Sequence, residues 1–174
     1  MAIRSYTSRS EFEQYRFNPF VTVLVPFALI LIQAYLPAIF PRFLILDLPL
    51  IATIFFAVSR RSPIAGTFTG AAIGLLQDAL TNQPIGVNGL AKALIGYSAA
   101  SIGFKVDVDS VTTRAVMSFS FFLLQSALLY LIQRRLLDMH GFQVLWLHEL
   151  LRAAVNTVVA IPIFLLLDHT KIRE

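Results

Sequence analysis

The sequence predicts an all-α integral membrane protein of six transmembrane helices, and three observations carry that reading. Of 174 residues, 57% are hydrophobic and only 14% charged, against roughly 45–50% and 25% in an average soluble domain. The apolar residues fall into long uncharged runs separated by short polar or proline-containing breaks, the pattern that lipid-facing helices require. Lys and Arg then divide unequally between alternate breaks, as they do in multi-pass proteins. A single domain fits this length: residues 1–18 form a cytoplasmic N-terminal segment, 19–168 the six-helix transmembrane domain and 169–174 a cytoplasmic tail. The absence of cysteine excludes disulfides, thiol nucleophiles and Cys-ligated zinc.

The elements follow in order. Ser10-x-x-Glu13 has a capping-box pattern, so Glu11 to Phe17 reads as a short interfacial helix with Phe12, Tyr15 and Phe17 against the headgroups, or equally as a frayed terminus. The first span runs from Phe20 to Leu36. Arg4, Arg9 and Arg16 precede it as they would a secretory signal, yet it ends in Gln33-Ala34-Tyr35-Leu36-Pro37 without a small-x-small cleavage site, so it reads as uncleaved. Beyond the Pro37 to Pro41 turn, Phe43 to Ser59 is broken by Asp47 and Pro49 and stopped by Arg60-Arg61. At about 26 Å it spans or partly re-enters. The third span covers Ile64 to Thr81, the fourth Gly86 to Phe104, the fifth Thr112 to Ile132 and the sixth Trp146 to Leu167.

Six spans place Arg4, Arg9, Arg16, Arg60, Arg61, Lys105, Arg114, Lys171 and Arg173 on one side and only Arg42, Arg134 and Arg135 on the other. Basic residues resist translocation, so both termini are expected in the cytoplasm. Five spans would spoil this asymmetry. The net charge of +4 thus reads as membrane orientation, and with no continuous basic stripe a nucleic-acid partner is not expected.

Glycines mark a packing seam. Gly66, Gly70 and Gly74 repeat every four residues in the third span, and Gly89, Ala93, Gly96, Ala100 and Gly103 alternate four and three in the fourth. Small residues at this spacing let helix backbones approach closely, so the two spans are expected to form an antiparallel hairpin turning near Pro84. One further step of four from Gly74 reaches Asp78, with Gln77 beside it, while Lys92 borders the facing stripe. Similar depth predicts an ion pair between Asp78 and Lys92, assisted by Gln77 and Asn88, since an isolated charge there is costly. This cluster reads as a latch fixing the hairpin or as the floor of an outward-facing binding site.

Other chemistry is poorly supported. His148-Glu149-Leu150-Leu151-Arg152 resembles a zinc-protease helix, but Arg152 stands where the second imidazole is required, and Glu149 and Arg152 read instead as a helical ion pair. His140 and His169 do not repair the site. Ser98 and Ser101 lack a histidine at similar depth and suit backbone bonding. No phosphate-binding glycine loop occurs. No enzymatic activity, metal or cofactor is expected.

From Arg61 to Gly103 the chain resembles the rod shape-determining protein MreD family. The likeness lies in Gly74-Leu75-Leu76-Gln77-Asp78, the turn Gln83-Pro84-Ile85-Gly86-Val87-Asn88 and the stretch from Lys92 to Gly96; length, span count and basic N-terminus extend it over the whole chain. The resemblance implies a non-enzymatic component of the bacterial inner membrane that serves cell elongation and lateral peptidoglycan synthesis. It implies MreC, a single-span protein, as direct partner, with membrane lipid around it and MreB, RodA and a class B penicillin-binding protein as indirect ones. It also implies a fold similar to the six-helix substrate-binding components of energy-coupling-factor vitamin transporters. The alternative function follows from that fold: a transporter component that binds a small polar molecule through Gln77, Asp78, Asn88 and Lys92.

Overall fold

Polar caps and prolines cut the apolar chain into helices. Asn18 accepts a hydrogen bond from the Phe20 amide at 3.0 Å and starts α1, Pro19–Ile39. A 3-10 turn, Pro41–Ile45, leads to Asp47, whose carboxylate accepts from the Leu50 amide and starts α2, Leu48–Arg60. Such side-chain acceptors satisfy amides that a helix start leaves unpaired. Arg61, in the left-handed region at φ 49°, ends α2, and Ser62 caps α3, Pro63–Leu80. The chain continues through α4, Val87–Gly103, α5, Val111–Leu131, a π turn, Ile132–Leu136, and α6, Trp146–Asp168. This computed structural model describes residues 16–103, 105–106, 108, 110–137 and 145–172.

Helix α2 lies at the centre: residues 48–59 are all buried, against α1, α3, α4, α5 and α6. A helix apolar on every side belongs in a protein interior. Helix α1 is its opposite, with Phe20, Val23, Leu24 and Phe27 exposed on its outer face. Among the described residues four stretches, in α1, the 3-10 turn with α2, α5 with the π turn, and α6, are long and apolar enough to cross a membrane. The expected third and fourth spans correspond to α3, whose glycines and polar residues lower its hydropathy, and α4, which at 17 residues is too short for that group.

At one end of the bundle two short strands, Arg16–Phe17 (β1) and Lys171–Ile172 (β2), pair antiparallel. Phe17 packs edge-on against Phe55 and Phe56. It therefore enters the protein core rather than an interfacial helix, because those rings offer a buried pocket; Phe12, Tyr15 and the capping box lie outside the described residues. At the same end Arg60 donates to Thr22 at 3.0 Å, and Arg114 pairs with Asp168. The opposite end carries the 3-10 turn, the α3–α4 turn and the π turn, with Asn82 (φ 54°) and Gly86 (φ 101°) in left-handed backbone.

Candidate functional site

The residues singled out by sequence meet on the two faces of α4. On one face the α3 and α4 backbones touch. A β-carbon on Gly66 would lie 2.4 Å from the Gly96 carbonyl oxygen, on Gly70 2.1 Å from that of Lys92, and on Gly74 2.3 Å from that of Asn88. None of these can accept a side chain without backbone movement. Ala100 faces Gly66 and Ala93 lies beside Gly70, while Gly103 sits 2.8 Å, by the same measure, from the Val58 carbonyl of α2. Gly89 differs, because its β-carbon would meet only the Leu75 side chain, at 3.0 Å.

Asp78, at the end of α3, reaches the start of α4. Its Oδ2 accepts from the amides of Gly86 at 2.9 Å and Asn88 at 3.1 Å, and its Oδ1 accepts from Asn88 Nδ2 at 2.8 Å. A carboxylate suits the unpaired amides and partial positive charge of a helix N-terminus. Asp78 is fully buried, but its oxygens are consumed here.

The expected Asp78–Lys92 ion pair is therefore corrected. Lys92, fully buried, donates to Asp47 Oδ2 at 3.2 Å, Gln125 Oε1 at 3.2 Å and Asn88 Oδ1 at 3.4 Å. Its three donors thus have three acceptors. The physical reason is depth: Lys92 is six residues beyond Gly86, about 9 Å at 1.5 Å per residue, level with the start of α2 rather than with the hairpin turn. Asn88 links the Asp78 carboxylate to the Lys92 ammonium, donating to Asp78 and accepting from Lys92.

Asp47 is the junction. Besides Lys92 it holds the Leu50 amide and Gln125 Nε2, and its own amide donates to Asn156 Oδ1 at 2.7 Å. Asn156 in turn donates to the Ile45 and Arg152 carbonyls, both at 2.8 Å. Arg152 lies 3.8 Å from Asp47 and 3.7 Å from Glu149, bringing the expected helical pair together. Glu149 also accepts from Ser126 of α5. His148 stands 3.5 Å from Glu149, and among the described residues no group of three or more His, Asp or Glu side chains could hold a metal. His140 lies outside the described residues. Ser98 and Ser101 bond back to the Leu94 and Tyr97 carbonyls at 2.9 and 2.8 Å.

Asp47, Gln125 and Asn156 were not among the expected site residues. Their sequence signal was a polar residue inside an apolar run, which in a membrane segment calls for a partner. Sequence reasoning took Asp47 for a mere interruption because its partner is 45 residues away.

Above the network a cavity of about 390 Å³ is lined by Gln33, Asp47, Gln77, Asn88, Gln133 and Arg152, among others. Gln77 is buried there, and among the described residues the Oε1 atoms of Gln77 and Gln133 have no hydrogen-bond partner. In the network beneath, Lys92, Asp47 and Asp78 are satisfied internally, and the bonds join α2, α4, α5 and α6.

A family model described as rod shape-determining protein MreD matches residues 14–170. No curated protein and no solved structure matches the chain.

Proposed function

The chain belongs to the MreD family of rod shape-determining proteins, and from that premise we propose that it is a non-enzymatic, six-span scaffold of the cell-elongation machinery. Membership supports a role in rod shape determination, and the four long apolar stretches support a membrane protein. The finer reading is that α3 and α4 cross as a locked hairpin beside those stretches, with both termini in the cytoplasm and the chain in the bacterial inner membrane. The direct partner is an MreC-like single-span protein, through which MreB, RodA and a class B penicillin-binding protein are engaged in lateral peptidoglycan synthesis.

The closed charge network carries this reading. A scaffold needs a fixed outer surface, and a network in which Lys92, Asp47 and Asp78 are saturated internally fixes the helices that form it. A substrate component in the vitamin-transporter manner would use Asp78, Asn88 and Lys92 to hold its ligand; here these residues hold one another. The latch reading of the cluster is thus favoured, with Asp47 in the place expected of Asp78.

Co-purification in mild detergent tests the proposal. Stoichiometric recovery of an MreC-like membrane protein is expected. Recovery of a vitamin-sized ligand with no protein partner would overturn it.

A further inference from the structure

The cavity above the network leaves polar groups unmatched in a complementary way. It is bounded by α1, α3, the π turn and α6, at the end of the bundle opposite β1 and β2. Gln77 is more than nine-tenths buried, and among the described residues its amide oxygen finds no donor; the amide oxygen of Gln133, carried on the π turn, finds none there either. Both are acceptors only. Arg152 offers the converse. Its two carboxylate neighbours stand at 3.7 and 3.8 Å, beyond hydrogen-bond reach, so among the described residues its guanidinium donors are unused.

Charge narrows what could fill such a site. Of the charged side chains, Asp47 and Arg152 line the cavity, so a net anion would face Asp47 and a net cation would face Arg152. A zwitterion adds no net charge and can satisfy both sets: an oxyanion to Arg152, and ammonium N–H groups to the two glutamines once rotation of their side chains turns the buried oxygens toward the cavity. Leu80 and Leu129 supply apolar wall for the short carbon linker between them. The volume is within the usual range for a small-molecule site, and π turns often mark functional positions. We propose that this cavity binds a small zwitterion bearing a primary ammonium and an oxyanion, of the ethanolamine phosphodiester type, supplied either as a lipid headgroup or as a free solute.

Two probes of equal, zero net charge test this. Glycerophosphoethanolamine has ammonium N–H donors and glycerophosphocholine has none on its trimethylammonium. With the full chain in detergent, glycerophosphoethanolamine is expected to raise the melting temperature saturably, and glycerophosphocholine to bind at least tenfold more weakly. Nanodiscs of mixed phosphatidylethanolamine and phosphatidylcholine, read by native mass spectrometry, separate the sources. Retention of one phosphatidylethanolamine per chain without response to the free probe assigns a lipid headgroup; response to the free probe without lipid enrichment assigns a solute. The double variant Gln77→Leu, Gln133→Leu is expected to lose at least tenfold in either binding. Equal behaviour of amine and trimethylammonium probes in both formats, or no binding in either, overturns the proposal. That comparison uses the unaltered chain, so it stands even where the variant does not fold, and it is independent of whether a partner helix co-purifies.

Discussion

The two faces of α4 are held by opposite means. Toward α3 it is held by missing side chains: glycines let carbonyls of one helix rest where β-carbons of the other would be. Toward α2 and α5 it is held by charge, with Lys92 bonded to Asp47 and Gln125. The first seam needs no polar group but tolerates no added atom at Gly66, Gly70 or Gly74. The second tolerates a change of atoms, provided that charges disappear in pairs. Packing specificity can thus come from shape or from mutual neutralisation, and the same residue, Lys92, serves both, its carbonyl against Gly70 and its ammonium against Asp47.

The strongest way to break the shape seam is Gly70→Leu. The side chain would start 2.1 Å from the Lys92 carbonyl oxygen, an overlap more severe than the overpacking that usually costs about 1–3 kcal/mol. Loss of a monodisperse species on size exclusion is expected, and of partner binding with it. Unchanged assembly and thermal stability would instead place the glycine stripe in lipid.

The charge seam is next. Lys92→Met leaves Asp47 buried with a missing counter-charge, and about 3–5 kcal/mol of stability should go. Adding Asp47→Asn, which keeps an oxygen for the Leu50 amide, should restore more than half of that loss in a thermal-unfolding comparison. If the double variant melts as low as the worse single one, the pair is no latch. Asp78→Ala comes third: it removes the acceptor for the α4 amides, and stranding buried donors costs about 1–3 kcal/mol. A helix-resolved hydrogen-exchange measurement should find the new opening confined to the start of α4. The smallest effect is Gly89→Ala, where a flexible Leu75 side chain can yield. Its clash and its gain in helix propensity, about 1 kcal/mol, should nearly cancel, and a fall in stability as large as that of Asp78→Ala would show that the seam is rigid at Gly89 too.

The fold was more legible than the network, for reasons of range. Helix limits depend on neighbours in sequence: Ser62-Pro63 starts α3 and Arg60-Arg61 closes α2, and both can be read locally. The glycine seam was also legible, since spacing by four aligns residues within one helix, and a short turn leaves the next helix little choice of neighbour. The Lys92 partner was not. Asp78 was nearer along the hairpin, and only the capping of α4 shows that its oxygens are already engaged. Asp47 enters because the 3-10 turn lowers the start of α2 into the bundle, a geometric fact absent from periodicity. Apolarity alone likewise fails to distinguish lipid from core: the α1 stretch is 11% buried and the stretch containing α2 72% buried, although both qualify as spans.

The pairing of Arg16 with Ile172 and of Phe17 with Lys171 imposes a parity rule. Two segments joined by backbone hydrogen bonds share one side of a bilayer, so the chain between them crosses an even number of times. Whether α3 and α4 cross fully or turn back together, that parity is conserved, and an odd count would tear β1 from β2. What is left for topology is which face of the membrane holds the joined ends and whether α3 and α4 cross, and a reporter fused to either end must return the same answer.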